Sequence, residues 1–169
     1  AEISANFAQS IRDQIGSLQK NLLEGLLVVI IVSFILISLR ASLITALAMV
    51  ITIITTVGVL QLIGYSLNTI TLLSLILSLA LIVDDTTIMV ESIDAGLKSG
   101  KRKLDEVVLD ALKKVARASS TGTFVTIIAF SRMLFISGTL GKFIVSIPVT
   151  IIISLAVSLI VSVIFIPFL

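Results

Sequence analysis

Hydrophobic residues form five long, nearly uncharged runs along the 169-residue chain, separated by polar segments. The runs are 17 to 26 residues long and occupy 22–39, 43–63, 69–90, 121–137 and 143–168. Because a helix rises about 1.5 Å per residue, each run can cross the roughly 30 Å hydrocarbon core of a bilayer, the shortest only just. The runs are continuously apolar and do not alternate, so they predict transmembrane helices and not barrel strands.

The longest polar segment, 91–120, lies between the third and fourth runs and holds seven Lys/Arg against five Asp/Glu. Since positively charged loops stay on the inner side of a membrane, this linker is predicted to be cytoplasmic. Alternation of the spans then places residue 1 on the outer side and residue 169 on the inner side. The turn that contains Arg40 is expected on the inner side.

Two segments outside the runs carry an apolar stripe at helical spacing. The stripe within 104–115 predicts an amphipathic helix along the inner membrane surface, with a calmodulin-target or other partner-binding helix as the alternative. Residues 1–20 carry a similar stripe and predict a helical lead-in on the outer side, ahead of a transmembrane domain at 21–169. The predicted fold class is an all-α membrane protein, a bundle of five transmembrane helices plus an amphipathic helix on the cytoplasmic surface.

Composition removes several classes of function. Apolar residues make up 57% of the chain and charged residues 13%, against roughly 45–50% and 25% in soluble domains, which excludes an ordinary soluble globule. There is no Cys and no His, so disulfides, zinc sites and Ser-His or Cys-His pairs are excluded. The net charge of +2 is concentrated in the linker and indicates membrane orientation. We expect the chain to bind no metal, no organic cofactor and no nucleic acid, and to be surrounded by membrane lipid.

An adjacent pair of acids, Asp84 and Asp85, lies inside the third run. A carboxylate at such a depth costs on the order of 2.5–3.5 kcal/mol on insertion scales. An adjacent pair of them is therefore expected to have a function. Burial and the neighbouring carboxylate both disfavour the ionised form. A cation that approached in one conformation and withdrew in another would make the pair release and recapture protons. The sequence therefore predicts a proton relay, as in a transporter.

Successive residues of a helix are rotated by about 100° around its axis, so the two acids face different sides of the third helix. Asp85 shares a face with hydroxyl residues, and Asp84 shares a face with a further acid. These positions are candidates for a supporting polar path, although helix packing is the usual role of such hydroxyls. They are Thr71, Ser74 and Ser78 for Asp85, and Glu91 for Asp84.

Two other interpretations of the acids are open. The pair could be permanently bound to a cation and act only in a helical membrane scaffold or partner-binding module. Within the spans the only cation available is Arg132, about 8 Å away in depth by helical rise, and snorkelling toward the outer surface suits it better. Intramembrane aspartyl proteolysis needs two acids that face each other, whereas neighbours on one helix diverge. We therefore predict no enzyme activity.

Three stretches resemble the resistance-nodulation-division (RND) exporters. They are 21–40 (NLLEGLLVVIIVSFILISLR), 64–93 (GYSLNTITLLSLILSLALIVDDTTIMVESI) and 130–169 with its GKF and IPFL. The segment IVDDTTIMVESI is similar to the aspartate-pair motif of the hydrophobe and amphiphile efflux branch. Arg132 departs from the family, whose members often carry proline there.

The resemblance implies a proton-driven multidrug antiporter in the bacterial inner membrane, powered by the proton-motive force. Each subunit of the implied homotrimer has two halves of six spans, each half with a periplasmic domain. The five runs match the second to sixth spans of the first half, with residue 1 periplasmic and residue 169 cytoplasmic. The second half would supply Lys, Arg and Thr to Asp84 and Asp85, and a periplasmic adaptor and outer-membrane channel are further implied partners. A protein-translocation subunit of the same superfamily is the alternative.

Overall fold

The computed structural model describes residues 2–36, 39–99 and 104–168, and the regular secondary structure in these ranges is helical throughout. A 3-10 turn (Arg132–Phe135) follows the fourth helix, and a π-helical turn (Val161–Phe165) and a 3-10 turn (Ile166–Phe168) continue the sixth. The α-helices are α1 (Glu2–Leu36), α2 (Leu39–Leu62), α3 (Thr69–Lys98), α4 (Leu104–Ser131), α5 (Thr139–Ile144) and α6 (Ser146–Ile160).

Within the described ranges, four segments are long and apolar enough to cross a membrane. They are Gln9–Ile35, Leu39–Leu62, Thr69–Lys98 and Ser146–Phe165. An all-α fold with several helices able to span a membrane is therefore confirmed. α4 is not among the four, because charged residues fill its first half, and the count of five spans stays a prediction.

The turn between α2 and α3 is built from local signals. Gly64 has a φ of 86°, a left-handed conformation that glycine adopts without strain. Asn68 caps α3, since its side-chain oxygen accepts hydrogen bonds from the backbone N–H groups of Ile70 (2.9 Å) and Thr71 (3.0 Å). The Thr71 hydroxyl in turn accepts the N–H of Asn68 at 2.8 Å. This reciprocal capping fixes the predicted start of the third run at Thr69.

α3 is the central helix of the bundle and contacts α1, α2, α4 and α6. Half of its most apolar stretch is buried, against 6% for α1. Many of the interior side chains are small hydroxyls, which allow close approach of the helices. The fully buried hydroxyl residues are Thr45, Thr52 and Thr56 on α2, Thr71, Ser74, Ser78 and Thr86 on α3, and Thr150, Ser154 and Ser158 on α6.

Arg40 is expected in a turn between the first two spans but lies within a helix in the structure. α1 ends at Leu36 and α2 begins at Leu39, so Arg40 belongs to the first turn of α2 and not to an interhelical turn. The hydroxyl of Ser42 donates to the carbonyl of Ile30 at 3.1 Å and holds the start of α2 against α1. A polar residue at a helix start was thus mistaken for the end of the run.

The predicted amphipathic helix and the fourth run form one continuous helix, α4. The apolar stripe of its first half, Val107, Ala111 and Val115, is buried; Ala111 and Val115 lie in the same apolar cluster as Met89 of α3. The expected position of this half of the helix along the inner membrane surface stays a prediction. The polar residues before 121 do not interrupt the helix, because hydroxyls can hydrogen-bond within it: Thr121 donates to the carbonyl of Arg117 at 2.8 Å.

Some of the predictions concern positions outside the described residues. These are residues 1 and 169, used for the topology, residues 37–38 of the first run, and the Lys-rich part of the linker at 100–103.

Candidate functional site

Asp85 lies near the middle of α3 and is 7% exposed. Its carboxylate accepts hydrogen bonds from two hydroxyls on α4. Ser119 Oγ donates to Oδ1 of Asp85, and Thr123 Oγ1 lies 3.1 Å from Oδ2 and 3.3 Å from Oδ1. Ser119 and Thr123 are four residues apart, so one face of α4 presents both donors. Asp85 is therefore held by two neutral donors from a neighbouring helix.

Asp84 has the opposite surroundings. It is exposed and belongs to a continuous exposed stripe on α3 whose members recur at spacings of three and four residues. This stripe is the side of α3 that α1, α2, α4 and α6 leave uncovered. Its residues are apolar apart from two acids. The stripe consists of Leu73, Leu77, Ala80, Asp84, Ile88, Glu91 and Ala95.

The structure does not show one joint site for Asp84 and Asp85, since only Asp85 faces α4. Within the described ranges, neither carboxylate forms an ion pair with a Lys or Arg. Arg132 is exposed in the 3-10 turn after α4 and does not pair with them. No group of three His, Cys, Asp or Glu side chains that could hold a metal ion occurs in the part of the chain that was described.

The residues of the expected polar path are divided between the two faces of α3. Glu91 is exposed in the same stripe as Asp84, seven residues further along α3. Thr71, Ser74 and Ser78 are fully buried on the side of Asp85. Each of these hydroxyls donates to a backbone carbonyl of its own segment: Thr71 to Asn68 (2.9 Å), Ser74 to Ile70 (2.7 Å) and Ser78 to Leu75 (2.9 Å).

Ser119 and Thr123 were not among the residues predicted from the sequence. Their signal was present nonetheless, because half-buried Ser119 and buried Thr123 extend the buried stripe of α4 at a spacing of four residues. The stripe runs Val107, Ala111, Val115, Ser119, Thr123. Its change from apolar to hydroxyl side chains occurs where α4 passes Asp85, which is the acceptor of both hydroxyls.

A family model described as the AcrB/AcrD/AcrF family matches residues 2–169, which is nearly the whole chain. The chain belongs to this family. The AcrB/AcrD/AcrF match confirms the resemblance to RND exporters that the segment around Asp84 and Asp85 indicated.

Curated relatives with this similarity are multidrug transporters. The chain is 27% identical over 163 residues to the multidrug resistance protein MdtC of Pantoea ananatis, covering 96% of this chain and 16% of the relative. It is 28% identical over 149 residues to the multidrug export protein AcrF of Escherichia coli K12, covering 88% and 14%. With MdtF of the same strain the values are 27% over 124 residues, 73% and 12%. The chain thus spans about one sixth or less of their length.

Proposed function

We propose that the chain is the transmembrane domain of the first half of a proton-driven RND multidrug efflux transporter. Membership of the AcrB/AcrD/AcrF family supports transport and not enzymatic catalysis. Because the chain spans only 16% of the MdtC relative, export belongs to a larger protein of which this segment is one part. The task assigned to this segment is proton binding, which drives the export step.

The observation that carries the proposal is the placement of two adjacent acids on the central helix. Asp85 is buried among α4 hydroxyls, whereas Asp84 lies on the uncovered stripe. An acid inside a membrane is costly, so its presence is explained by function. A buried carboxyl is readily protonated, and an exposed one beside it can meet a cation supplied from outside the bundle. Together they have the two properties that a proton relay needs.

The stripe also supports the proposal for partners. Asp84 and Glu91 are separated by seven residues, about 10 Å along the helix axis, and are unsuited to contact with lipid tails. A second transmembrane half with Lys and Arg side chains would cover the stripe and pair with these acids. Thr71, Ser74 and Ser78 remain predicted members of a supporting path, with packing as their visible role.

The proposed location is the inner membrane of a bacterium. The relatives named above come from bacteria, and the excess of Lys and Arg in 91–120 favours the cytoplasmic side for that segment. Residue 1 would then be periplasmic and residue 169 cytoplasmic. Periplasmic domains, a homotrimer, a periplasmic adaptor and an outer-membrane channel complete the proposed assembly.

The proposal is tested by the double substitution Asp84→Asn/Asp85→Asn in the complete transporter that carries this segment. Asparagine keeps the size of aspartate but cannot take up a proton, so we expect loss of drug efflux and of drug-dependent proton flux in membrane vesicles. The matched control, Asp94→Asn/Asp105→Asn, removes two carboxylates outside the site. Asp94 pairs with Lys98 at 2.6 Å and Asp105 is exposed in the first turn of α4. The control should export normally.

A static role in a membrane scaffold is the second candidate, and the bonds between Asp85 and α4 are the observation that favours it. A scaffold would need no proton flux. Normal efflux by the aspartate double variant, with normal amounts of protein in the membrane, would contradict the proton relay. The scaffold role would then be the remaining explanation of the two acids.

A further inference from the structure

Among the described residues, the side chains that donate hydrogen bonds to the carboxylate of Asp85 are Ser119 and Thr123. The hydroxyl next to it in sequence, Thr86, donates to the carbonyls of Ile82 (3.2 Å) and Val83 (3.1 Å) of its own helix. Ser119 and Thr123 instead donate across the helix interface to the carboxylate. The contact between α3 and α4 at this level therefore consists of hydroxyl donors on one side and a carboxylate acceptor on the other.

The charge state of Asp85 decides how well its carboxyl group accepts hydrogen bonds from the two hydroxyls. An ionised carboxylate only accepts hydrogen bonds, which suits two O–H donors, and such bonds favour the charged form. A protonated carboxyl has one O–H that donates and one carbonyl oxygen that accepts, so it is a poorer acceptor for two hydroxyl donors than the ionised form is. Ser119 and Thr123 have another acceptor available, because a helical hydroxyl can turn to a carbonyl one turn back. Thr126 does this on the same helix, donating to Gly122 at 3.0 Å.

We infer that Ser119 and Thr123 are positioning residues of the proton site, which hold the ionised carboxylate of Asp85 against α4 and release it when the carboxyl is protonated. This inference rests on the proposed function and adds the element that detects the proton. The detecting element is α4, whose first half packs through Ala111 and Val115 into the cluster shared with α2, α3 and α6. A proton on Asp85 thus changes how α4 is bound to the centre of the bundle.

Few charged groups lie close to Asp85, and the two α4 hydroxyls are the polar groups that bond directly to its carboxylate. No charged residue occurs in α6, and α2 has one, in its first turn. On α4 the charged residue nearest to the hydroxyl donors in the sequence is Arg117. It is exposed and lies about 200° around the helix from Ser119. The charged groups on the elements that contact α3 are Asp84, Glu91, Asp94 and Lys98 on α3 itself, Asp105, Glu106, Asp110, Lys113, Lys114 and Arg117 on α4, Arg40 on α2, and Glu2, Arg12, Asp13, Lys20 and Glu24 on α1.

The experiment is an infrared titration of the full chain in lipid vesicles, in which the carboxyl band of Asp85 is assigned by its loss in Asp85→Asn. The double substitution Ser119→Ala/Thr123→Val removes both donors and keeps the helix. Without them the charged form loses its hydrogen bonds, so the midpoint of the titration should move to higher pH by about one unit or more. The exchange Ser119→Thr/Thr123→Ser keeps both hydroxyls and should keep the midpoint.

The matched control is Ser120→Ala/Thr121→Val, which removes the same two groups from neighbouring positions of the same helix. Thr121 is exposed and bonds to its own backbone, so the midpoint should stay unchanged. If the double variant at 119 and 123 loses helicity by circular dichroism, Ser119→Ala alone gives the test with a smaller shift in the same direction. An unchanged midpoint in a folded variant overturns this inference only. Absence of any titrating Asp85 band in the unmodified chain overturns the proton site itself.

Discussion

Asp84 and Asp85 are neighbours in the sequence, yet the structure gives them opposite surroundings. Asp85 is buried and bonded to α4, whereas Asp84 is exposed on a stripe that the rest of the bundle leaves uncovered. The cause is the 100° rotation between successive residues of a helix. Two adjacent acids on a central helix therefore serve two sides of it: one is tied to the interior of this bundle, and the other is available to a partner.

The same division holds for the whole of α3. Its buried side carries small hydroxyls among large apolar side chains such as Leu75 and Ile82, and its exposed stripe carries apolar residues interrupted by the two acids. A buried side of this kind is sensitive to volume and charge because close-packed interiors have little free space. The stripe should tolerate changes that the buried side does not, as long as the acids remain.

The strongest test of this contrast places a lysine one turn beyond each acid. Met89→Lys puts a cation at a fully buried position of the inner apolar cluster, and the free energy of unfolding should fall by about 3 kcal/mol or more. Ile88→Lys puts the cation on the exposed stripe, four residues from Asp84, where the two can pair, and should cost about 1 kcal/mol or less. Unfolding of the chain in detergent micelles measures both. Equal losses would mean that the two sides of α3 do not differ.

A second test changes volume without charge. Ser78 is fully buried, so Ser78→Leu should overpack the interior and lower the free energy of unfolding by about 1–3 kcal/mol. Ala80 belongs to the exposed stripe, and Ala80→Leu should change it by less than about 0.5 kcal/mol. The same unfolding assay compares the two variants. A tolerated Ser78→Leu would show that the buried hydroxyl side has room that the structure does not show.

The elements with local signals were predictable from the sequence. The third run was expected to begin at 69, and α3 begins at Thr69, because the Asn68 cap and the preceding glycine turn act within a few residues. The expectation that Asp85 shares a face with Thr71, Ser74 and Ser78 also agrees with the structure, since all four are buried. Helical periodicity alone is sufficient for such a grouping.

The contacts between helices were not predictable in the same way. The polar residues near 120 were interpreted as the end of a linker, because hydroxyls lower the hydropathy of a segment. In the structure they continue α4, and Ser119 and Thr123 find their acceptor 34 and 38 residues away in the sequence. The rotation of α4 against α3 decides this pairing, and no local pattern contains it. The spacing of four in the α4 stripe marked the side of the helix but not its partner.

The smallest expected effect separates two serines on α6, both fully buried beside α3. Ser158 Oγ lies 3.5 Å from the carbonyl of Ile82 on α3, whereas Ser154 Oγ has no hydrogen-bond partner in the described part of the chain. Side-chain hydrogen bonds inside membrane proteins contribute about 0.6 kcal/mol on average, so Ser158→Ala should lower the free energy of unfolding by roughly that amount or less. Ser154→Ala removes an unpaired polar group and should leave stability unchanged or slightly raised. If Ser154→Ala is the more damaging of the two in the unfolding assay, the hydroxyl of Ser154 has a bonding role on the buried side of α3, and the assignment of hydrogen bonds between α3 and α6 has to be revised.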